Sequence, residues 1–254
     1  MISYTSGTIF MANVLILVPS RYGSSRFPGK PLALIHGKTM VSYIVANCQQ
    51  TGFDYAIVTD DDRIENEVKS LGANVVRVDD DVETGSERIA LALDRYFADK
   101  NYDLVVNMQG DEPLMKAEYI KKVVSEHLEA GADIFTAVKP RVQDLAEYQN
   151  PNIVKAVYSE SSKNCLYFTR ASAPHFMNKD IGKWFQHIGI YSYRVDALKK
   201  FNTLTPSVLE QNERLEQLRA LEAGMTIGAS VLEMEILGVD APEDIAKIEG
   251  VLGE

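Results

Sequence analysis

The first strongly apolar stretch of the chain, Val14–Val18, ends abruptly at Pro19. A continuous apolar run this short is typical of a β-strand that is buried on both faces of a parallel sheet. The loop that follows is rich in glycine, serine and proline and carries three cations, Arg21, Arg26 and Lys30. Ligands of α/β proteins bind at the carboxyl ends of the strands, and such cations suit phosphate groups. The pattern therefore favours a polyphosphate-binding loop over a solvated basic loop.

The rest of the chain alternates between short apolar runs and amphipathic stretches. Strands are predicted at 54–59, 74–78, 104–108 and 134–138. Helices are predicted at 40–50, 61–71, 86–97 and 117–130. This alternation predicts an α/β fold with a Rossmann-like, doubly wound and mostly parallel sheet.

The pattern changes after Pro140, where further short strands are predicted at 153–158, 165–169 and 188–193. The α/β pattern then resumes with a helix at 209–223, a strand at 226–232 and a final helix that opens at Pro242. We predict a single domain over 13–254 and a disordered extension over 1–12. Because the segment at 140–200 is β-rich and aromatic, it is expected to be an inserted subregion that forms a dimer interface.

Composition narrows the possible partners and compartment. The net charge is −10 and the sequence pI is about 5.0, which argues against nonspecific nucleic-acid binding. No apolar run approaches the length of a membrane-spanning helix, so no membrane insertion is expected. The cysteines Cys48 and Cys165 lie far apart and form no metal-ligand pair, which favours a reducing, cytoplasmic location.

A second polar loop follows the predicted strand at 104–108 and contains Gln109, Gly110, Asp111 and Glu112. A carboxylate at the end of a strand, close to a phosphate loop, is where an α/β enzyme can hold Mg²⁺ through one or two carboxylates. The alternative is an ordinary turn aspartate after a glycine. Because both loops are expected at one crevice, the metal interpretation is favoured.

The first loop matches neither common nucleotide-binding fingerprint, since the chain has no G-x-x-x-x-G-K-[ST] and no G-x-G-x-x-G with an acidic partner. Its pattern P-x-R-x-x-S-x-R-x-P-G-K-P-L resembles the first signature of nucleotidyltransferases that activate acidic sugars with CTP. The Q-G-D-E-P of the second loop matches their second signature. Within that group the chain is most similar to the CMP-Kdo synthetase (3-deoxy-manno-octulosonate cytidylyltransferase) family.

Shorter motifs extend the resemblance over nearly the whole chain: TGSER at 84–88, LYFTR at 166–170, HIGIY at 187–191, LEQLR at 215–219 and VDAPED at 239–244. By themselves these segments would be interpreted as a helix cap, short strands, a polar helix face and a further helix cap at Asp240. The resemblance instead implies that they contact the nucleotide, the sugar and the metal.

The resemblance implies a nucleotide-sugar transferase type of fold, a homodimer, and Mg²⁺ held by Asp111 and Asp240. It implies that Arg21, Lys30 and Asp111 are catalytic. The substrate contacts that it implies are Arg21, Ser24, Arg26, Lys30, Ser86, Arg88, Gln109, Arg170, His187, Tyr191, Glu216 and Gln217.

The implied reaction joins CTP to 3-deoxy-manno-octulosonate (Kdo) and releases pyrophosphate, as a step toward lipopolysaccharide. The alternatives are the same reaction on the 8-amino analogue of Kdo or on another acidic sugar such as sialic acid. A nucleotide-sugar sensor is the non-enzymatic alternative, although a binder would not need the two metal carboxylates. No Ser-His-Asp or Cys-His pattern suggests a covalent intermediate.

Overall fold

The computed structural model describes residues 12–23, 26–82, 84–177 and 180–253, so the predicted extension at 1–12 lies almost wholly outside the described residues. The strands in this part of the chain are β1 (Val14–Pro19), β2 (Leu34–Ile35), β3 (Lys38–Thr39), β4 (Asp54–Thr59), β5 (Val75–Arg77), β6 (Leu104–Asn107), β7 (Ile134–Arg141), β8 (Lys155–Ser159), β9 (Asn164–Thr169), β10 (Trp184–Arg194) and β11 (Ile227–Val231). The helices are α1 (Met40–Thr51), α2 (Asp62–Ser70), α3 (Gly85–Tyr96), α4 (Ala117–Ala130), α5 (Leu145–Gln149), α6 (Val195–Thr203), α7 (Val208–Glu213), α8 (Gln217–Glu222) and α9 (Asp244–Leu252). A short 3₁₀ turn spans Lys30–Leu32.

Within the described residues, nine strands form one sheet in the order β5-β4-β1-β6-β10-β7-β11-β9-β8. The strands β5, β4, β1 and β6 are parallel, and so are β7 and β11. In contrast, β10 runs antiparallel between β6 and β7, and the β8–β9 hairpin is antiparallel as well. The α/β fold is confirmed. The sheet is mixed: four of the eight neighbouring pairs among its described strands are parallel, as predicted, and the other four are antiparallel, two of them because β10 enters the centre in the reverse direction.

The segment at 140–200 is not a separate insertion on the sheet. Its hairpin extends one edge, while β10 pairs with β6 through Tyr191 and Asn107 and with β7 through Tyr193 and Ile134. The strand is eleven residues long, longer than the predicted 188–193, because its first half also pairs with β8 at Phe185. The sheet is therefore built around β10 as much as around β1.

Strand β1 is buried on both faces, as its apolar run predicts. Leu15 and Leu17 pack into the hydrophobic cluster that contains residues of α3 and α6, whereas Ile16 and Val18 pack into the cluster on the side of α1 and α4. All four side chains are fully buried. This two-sided burial holds the carboxyl end of β1 rigidly, and the cation-rich loop begins there.

Two predicted helices differ from the structure in ways that matter for the site. The helix expected at 209–223 is divided into α7 and α8, because Arg214 adopts a left-handed conformation with φ of 52°. The final helix begins at Asp244, whose carboxylate accepts the backbone N–H groups of Asp240 and Ala241 at 3.0 Å each. Asp240 is therefore not the N-cap of α9, and that alternative interpretation is wrong.

Candidate active site

The two predicted loops meet through Lys30 and Asp111. The ammonium Nζ of Lys30 lies 2.7 Å from Oδ2 of Asp111 and donates to the carbonyl of Val239, also at 2.7 Å. The Lys30 side chain is 14% exposed and that of Asp111 34%, so water reaches the carboxylate more readily than the ammonium. Gly29 precedes it with φ of 74°, a conformation that glycine tolerates and that turns the chain into the 3₁₀ turn.

The loop that carries Asp240 lies beside the loop that carries Asp111. The backbone N–H of Val239 donates to the carbonyl of Asp111 at 3.0 Å, which joins the two loops directly. At the surface, a guanidinium nitrogen of Arg26 lies 3.0 Å from Oδ1 of Asp240. Each predicted metal-binding carboxylate is thus paired with a cation of the first loop, in an arrangement that is charge-balanced without a ligand.

A cavity of about 530 Å³ opens between these loops. Its lining includes Pro19, Arg21, Gly23, Lys30, Gly85, Arg88, Gln109 and Asp111. Between the lining residues Gln109 and Asp111, a Cβ atom on Gly110 would approach the carbonyl of Pro19 to 2.8 Å, so only glycine fits there. The cavity lies at the carboxyl ends of β1 and β6, the position at which α/β sheets bind ligands.

Arg88 is fully buried and its guanidinium is engaged by protein groups. It donates to the carbonyls of Val78 and Asp80 and lies 3.2 Å from a carboxylate oxygen of Asp60. Burial lowers the pKa of this guanidinium, and the Asp60 carboxylate counteracts the effect. Arg88 reaches the cavity wall, and these bonds tie α3 to the ends of β4 and β5.

Ser86 connects the TGSER segment at 84–88 with the LEQLR segment at 215–219, two motifs that are far apart in sequence. Its hydroxyl donates to Oε2 of Glu216 at 3.0 Å, and Nδ2 of Asn107 lies 3.5 Å from the same hydroxyl. Burial raises the pKa of the Glu216 carboxyl. Among the described residues no hydrogen-bond partner is found for the buried atoms Oε1 of Glu216, Nε2 of Gln217 and Oδ1 of Asn107. Oε1 of Glu216 makes a long ion-pair contact, 3.9 Å from a guanidinium nitrogen of Arg219. Buried polar atoms without a hydrogen bond are costly, so this cluster suits a polar ligand.

Asn107 was missed by sequence reasoning, because a single asparagine at the end of an apolar strand carries no motif of its own. Its place opposite Tyr191 in the β6–β10 pairing brings it to the centre of the site. Glu112 was missed as well, although it belongs to the QGDEP segment. A Cβ atom on Gly189 would lie 3.6 Å from its Oε1, and burial raises the pKa of Glu112 to about 8.

His187 and Tyr191 lie in an aromatic row on β10. The ring of His187 contacts Phe168 and Tyr191, with centroids 4.9 and 5.4 Å away, and its Nε2 lies 3.0 Å from Oγ1 of Thr136. Burial lowers the pKa of His187 to about 3, so the imidazole is neutral at pH 7. His187 can therefore offer a hydrogen bond to a sugar, but not a positive charge to its carboxylate.

Arg170 directs its guanidinium at backbone carbonyls. It donates to Glu213 at 2.7 Å, to Pro151 at 3.0 Å and to Arg214 at 3.4 Å. These bonds hold the break between α7 and α8 and thereby the chain that leads to Glu216. Arg170 thus supports the Glu216 region through the backbone. Ser24, another predicted substrate contact, lies outside the described residues.

The donor set around Asp111 and Asp240 fits a magnesium ion that takes most of its ligands from a substrate. The described part of the chain contains no group of three or more His, Cys, Asp and Glu residues arranged to hold a metal by themselves. Mg²⁺ commonly uses one or two carboxylates and completes its octahedron with phosphate oxygens and water. Asp111 and Asp240 are on joined loops beside the cation-rich loop, as such a site requires.

A profile of the cytidylyltransferase family matches residues 15–227 of this chain. The chain belongs to the cytidylyltransferase family. It is 41% identical to a 3-deoxy-manno-octulosonate cytidylyltransferase from Chelativorans sp. strain BNC1, over 94% of this chain and 96% of that protein. It is 40% identical to an 8-amino-3,8-dideoxy-manno-octulosonate cytidylyltransferase from Shewanella pealeana, over 94% of this chain and 98% of that protein.

The fold is similar to a solved structure of CMP:2-keto-3-deoxy-manno-octonic acid synthetase in complex with CTP. The TM-score is 0.88 at 30% sequence identity, with 95% of this chain and 99% of that chain covered. The family resemblance that the motifs predicted is confirmed. In the described ranges, no helix of this cytidylyltransferase has the length and apolar character needed to cross a membrane.

Proposed function

We propose that this cytidylyltransferase joins CTP to the anomeric hydroxyl of 3-deoxy-manno-octulosonate and forms CMP-Kdo and pyrophosphate. The observation that carries the proposal is the 2.7 Å contact between Lys30 and Asp111, which unites the cation-rich loop with the carboxylate loop beside a cavity. Relatives that are 38–41% identical over most of the chain and are named for this sugar supply the choice of acceptor.

The cation-rich loop would bind the triphosphate. Transfer at a phosphorus atom needs in-line positioning and neutralised charge more than covalent help from the protein. Arg21 and Arg26 can offer forked donors, while Lys30 offers a point charge at the closed end of the loop. On nucleotide binding, Lys30 and Arg26 would exchange their carboxylate partners for phosphate oxygens.

The exchange would free Asp111 and Asp240 to hold Mg²⁺ together with substrate oxygens. When bound, the ion supplies Lewis-acid stabilisation of the α-phosphate and lowers the pKa of a coordinated hydroxyl. The backbone would keep the two carboxylate loops together after this exchange, because the N–H of Val239 donates to the carbonyl of Asp111 at 3.0 Å. Gln109 and Arg88 line the same cavity and would contact the nucleotide.

The acidic sugar would occupy the cluster next to Ser86. Glu216 and Gln217 each present a buried atom that makes no hydrogen bond to the described residues, which suits sugar hydroxyl groups. His187 and Tyr191 would form the aromatic wall. Arg170 would support this cluster through the backbone carbonyls of Glu213 and Arg214.

A pyrophosphate-release assay tests the proposed acceptor. With CTP and Mg²⁺, we expect kcat/KM for Kdo to exceed that for sialic acid by at least about a hundredfold, because a site built for particular hydroxyl groups rejects an acceptor that leaves them unpaired. The 8-amino sugar is the second candidate, since the relative from Shewanella pealeana is named for it. A higher kcat/KM for that sugar would replace Kdo as the acceptor, and no release with any acidic sugar would favour a sensor.

A homodimer through the region at 140–200 is part of the proposal. Large apolar side chains are exposed there, including Val142 at 66%, Leu145 at 54% and Leu166 at 63%. Exposed apolar side chains that lie together mark protein interaction surfaces. Light scattering at micromolar concentration should give twice the mass of the 28.3 kDa chain. Leu166→Glu should shift the protein toward the monomer, whereas a monomeric parent would contradict the dimer.

We propose that the enzyme works in the cytoplasm. Both cysteines are free and buried, as expected in a reducing compartment. Burial raises the pKa of Cys48 and of Cys165 to about 12, which keeps both thiols unreactive.

A further inference from the structure

Tyr22 is held between two parts of the structure that sequence motifs do not connect. On one side, a Cβ atom at Gly29 would lie 2.9 Å from the Tyr22 ring, so the ring packs directly against the glycine backbone. On the other side, the guanidinium carbon of Arg63 lies 3.2 Å from the ring centroid. We propose that Arg63, at the start of α2, and Tyr22 form a clamp that positions the triphosphate-binding loop for CTP.

The guanidinium group of Arg63 is also held by the carboxylate of Asp61. Its Nε and one terminal nitrogen donate to the two oxygens of Asp61 at 3.0 and 2.7 Å. Asp61 also caps α2 by accepting the backbone N–H of Arg63 at 2.9 Å. The guanidinium plane is therefore anchored to the end of β4 and the first turn of α2, and a planar cation over an aromatic face is a favourable pairing.

The clamp acts where the loop closes on itself. The backbone N–H of Gly29 donates to the carbonyl of Tyr22 at 2.8 Å, so the two residues form the neck of the loop. Arg21 lies immediately before this neck and Lys30 immediately after it. Any displacement of the Tyr22 ring would move both cations relative to the Asp111 carboxylate. Tyr22 and Arg63 are thus positioning residues, because they act on the triphosphate through Arg21 and Lys30.

This inference rests on the proposed role of the loop as the triphosphate site, so the experiment tests both separately. CTP binding is measured by calorimetry without sugar, and the KM for sugar is measured at saturating CTP. Tyr22→Leu is expected to weaken CTP binding about tenfold, and Arg63→Met about three- to fivefold, the size of one exposed cation–π contact. The KM for sugar and the thermal midpoint should change little.

The double variant Tyr22→Leu/Arg63→Met should bind CTP within about twofold of Tyr22→Leu alone, because Arg63 acts through the ring. Tyr22→Phe keeps the ring and should restore parental binding. Lys69→Met is the matched control, since Lys69 is an exposed cation on the same helix that pairs with Glu65. It should leave CTP affinity unchanged.

Two sets of results distinguish failure of the triphosphate site from failure of the clamp alone. If Arg21→Ala and Lys30→Ala both leave CTP binding and turnover intact, the loop is not the triphosphate site and the proposed function fails there. If those variants are impaired but Arg63→Met behaves like Lys69→Met, only the clamp is refuted. Additive effects of Tyr22→Leu and Arg63→Met on CTP binding would also refute the clamp. Equal losses of CTP and sugar affinity would likewise refute it, since they indicate general destabilisation.

Discussion

Replacing Lys30 with alanine is expected to lower kcat about a hundredfold, because one charge-stabilising contact in a transition state is worth roughly 3 kcal/mol. Binding of CTP should weaken much less, since Arg21 and Arg26 remain to hold the triphosphate. The reason is the position of Lys30 at the closed end of the loop, where it can follow the charge that grows on the leaving pyrophosphate. Single-turnover rates and calorimetric CTP affinity measure the two effects separately.

Lys100→Ala is the matched control for Lys30→Ala. Lys100 pairs with Asp54 at the amino end of β4, the end of the strand opposite to the candidate site, and its removal should leave kcat unchanged. Lys30→Arg should recover only part of the rate, because the forked guanidinium does not reproduce a point charge between Asp111 and the carbonyl of Val239. Near-parental turnover of Lys30→Ala would exclude a catalytic role for this ammonium.

Replacing either Asp111 or Asp240 with asparagine should lower turnover by at least about a hundredfold, since each removes a metal carboxylate while the shape is kept. Affinity for CTP without metal should stay close to the parental value. The double variant should be little slower than either single variant, because residues that act as one unit are not additive. Turnover measured across a Mg²⁺ titration, together with metal-free CTP binding, tests this prediction.

For Asp240, the structure separates an effect on turnover from an effect on stability. Asp244, rather than Asp240, accepts the backbone N–H groups of the turn before α9, so Asp240→Asn should not lower the thermal midpoint. Asp196→Asn removes the same charge from the first turn of α6 and serves as the control for turnover. Normal activity of Asp240→Asn at low Mg²⁺ would show that the VDAPED segment contributes no metal ligand.

Much of the site could be predicted from the sequence because strand β1 and the two polar loops are each encoded by a short continuous segment. The apolar run at Val14–Val18 predicts a strand buried on both faces, and the structure confirms it. The loops that carry Lys30 and Asp111 follow the strands β1 and β6, whose parallel pairing brings both loops to one edge of the sheet. The contact between these two side chains agrees with the predicted crevice.

The direction of β10 could not be read from its residues. Its alternating pattern specifies which side chains are buried, but the same pattern serves a parallel or an antiparallel strand. Only the contacts with β6 and β7 decide that it runs antiparallel, and this choice brings Tyr191 opposite Asn107. The aromatic wall of the candidate sugar site therefore depends on long-range pairing.

The partners of the charged side chains also depended on tertiary structure. The sequence predicts substrate contacts for both Arg88 and Arg170. The folded chain pairs both guanidinium groups with backbone carbonyls, and Arg88 also with Asp60, while Arg88 still lines the candidate cavity. A motif specifies that a cation is present, but its free energy of interaction depends on burial and on neighbours from distant segments. The sequence by itself thus determined the family, the two-sided strand β1 and the loops that bear the chemistry. Only the tertiary structure decided which charges remain available to a ligand, because pairing within a low-dielectric interior is set by the three-dimensional arrangement.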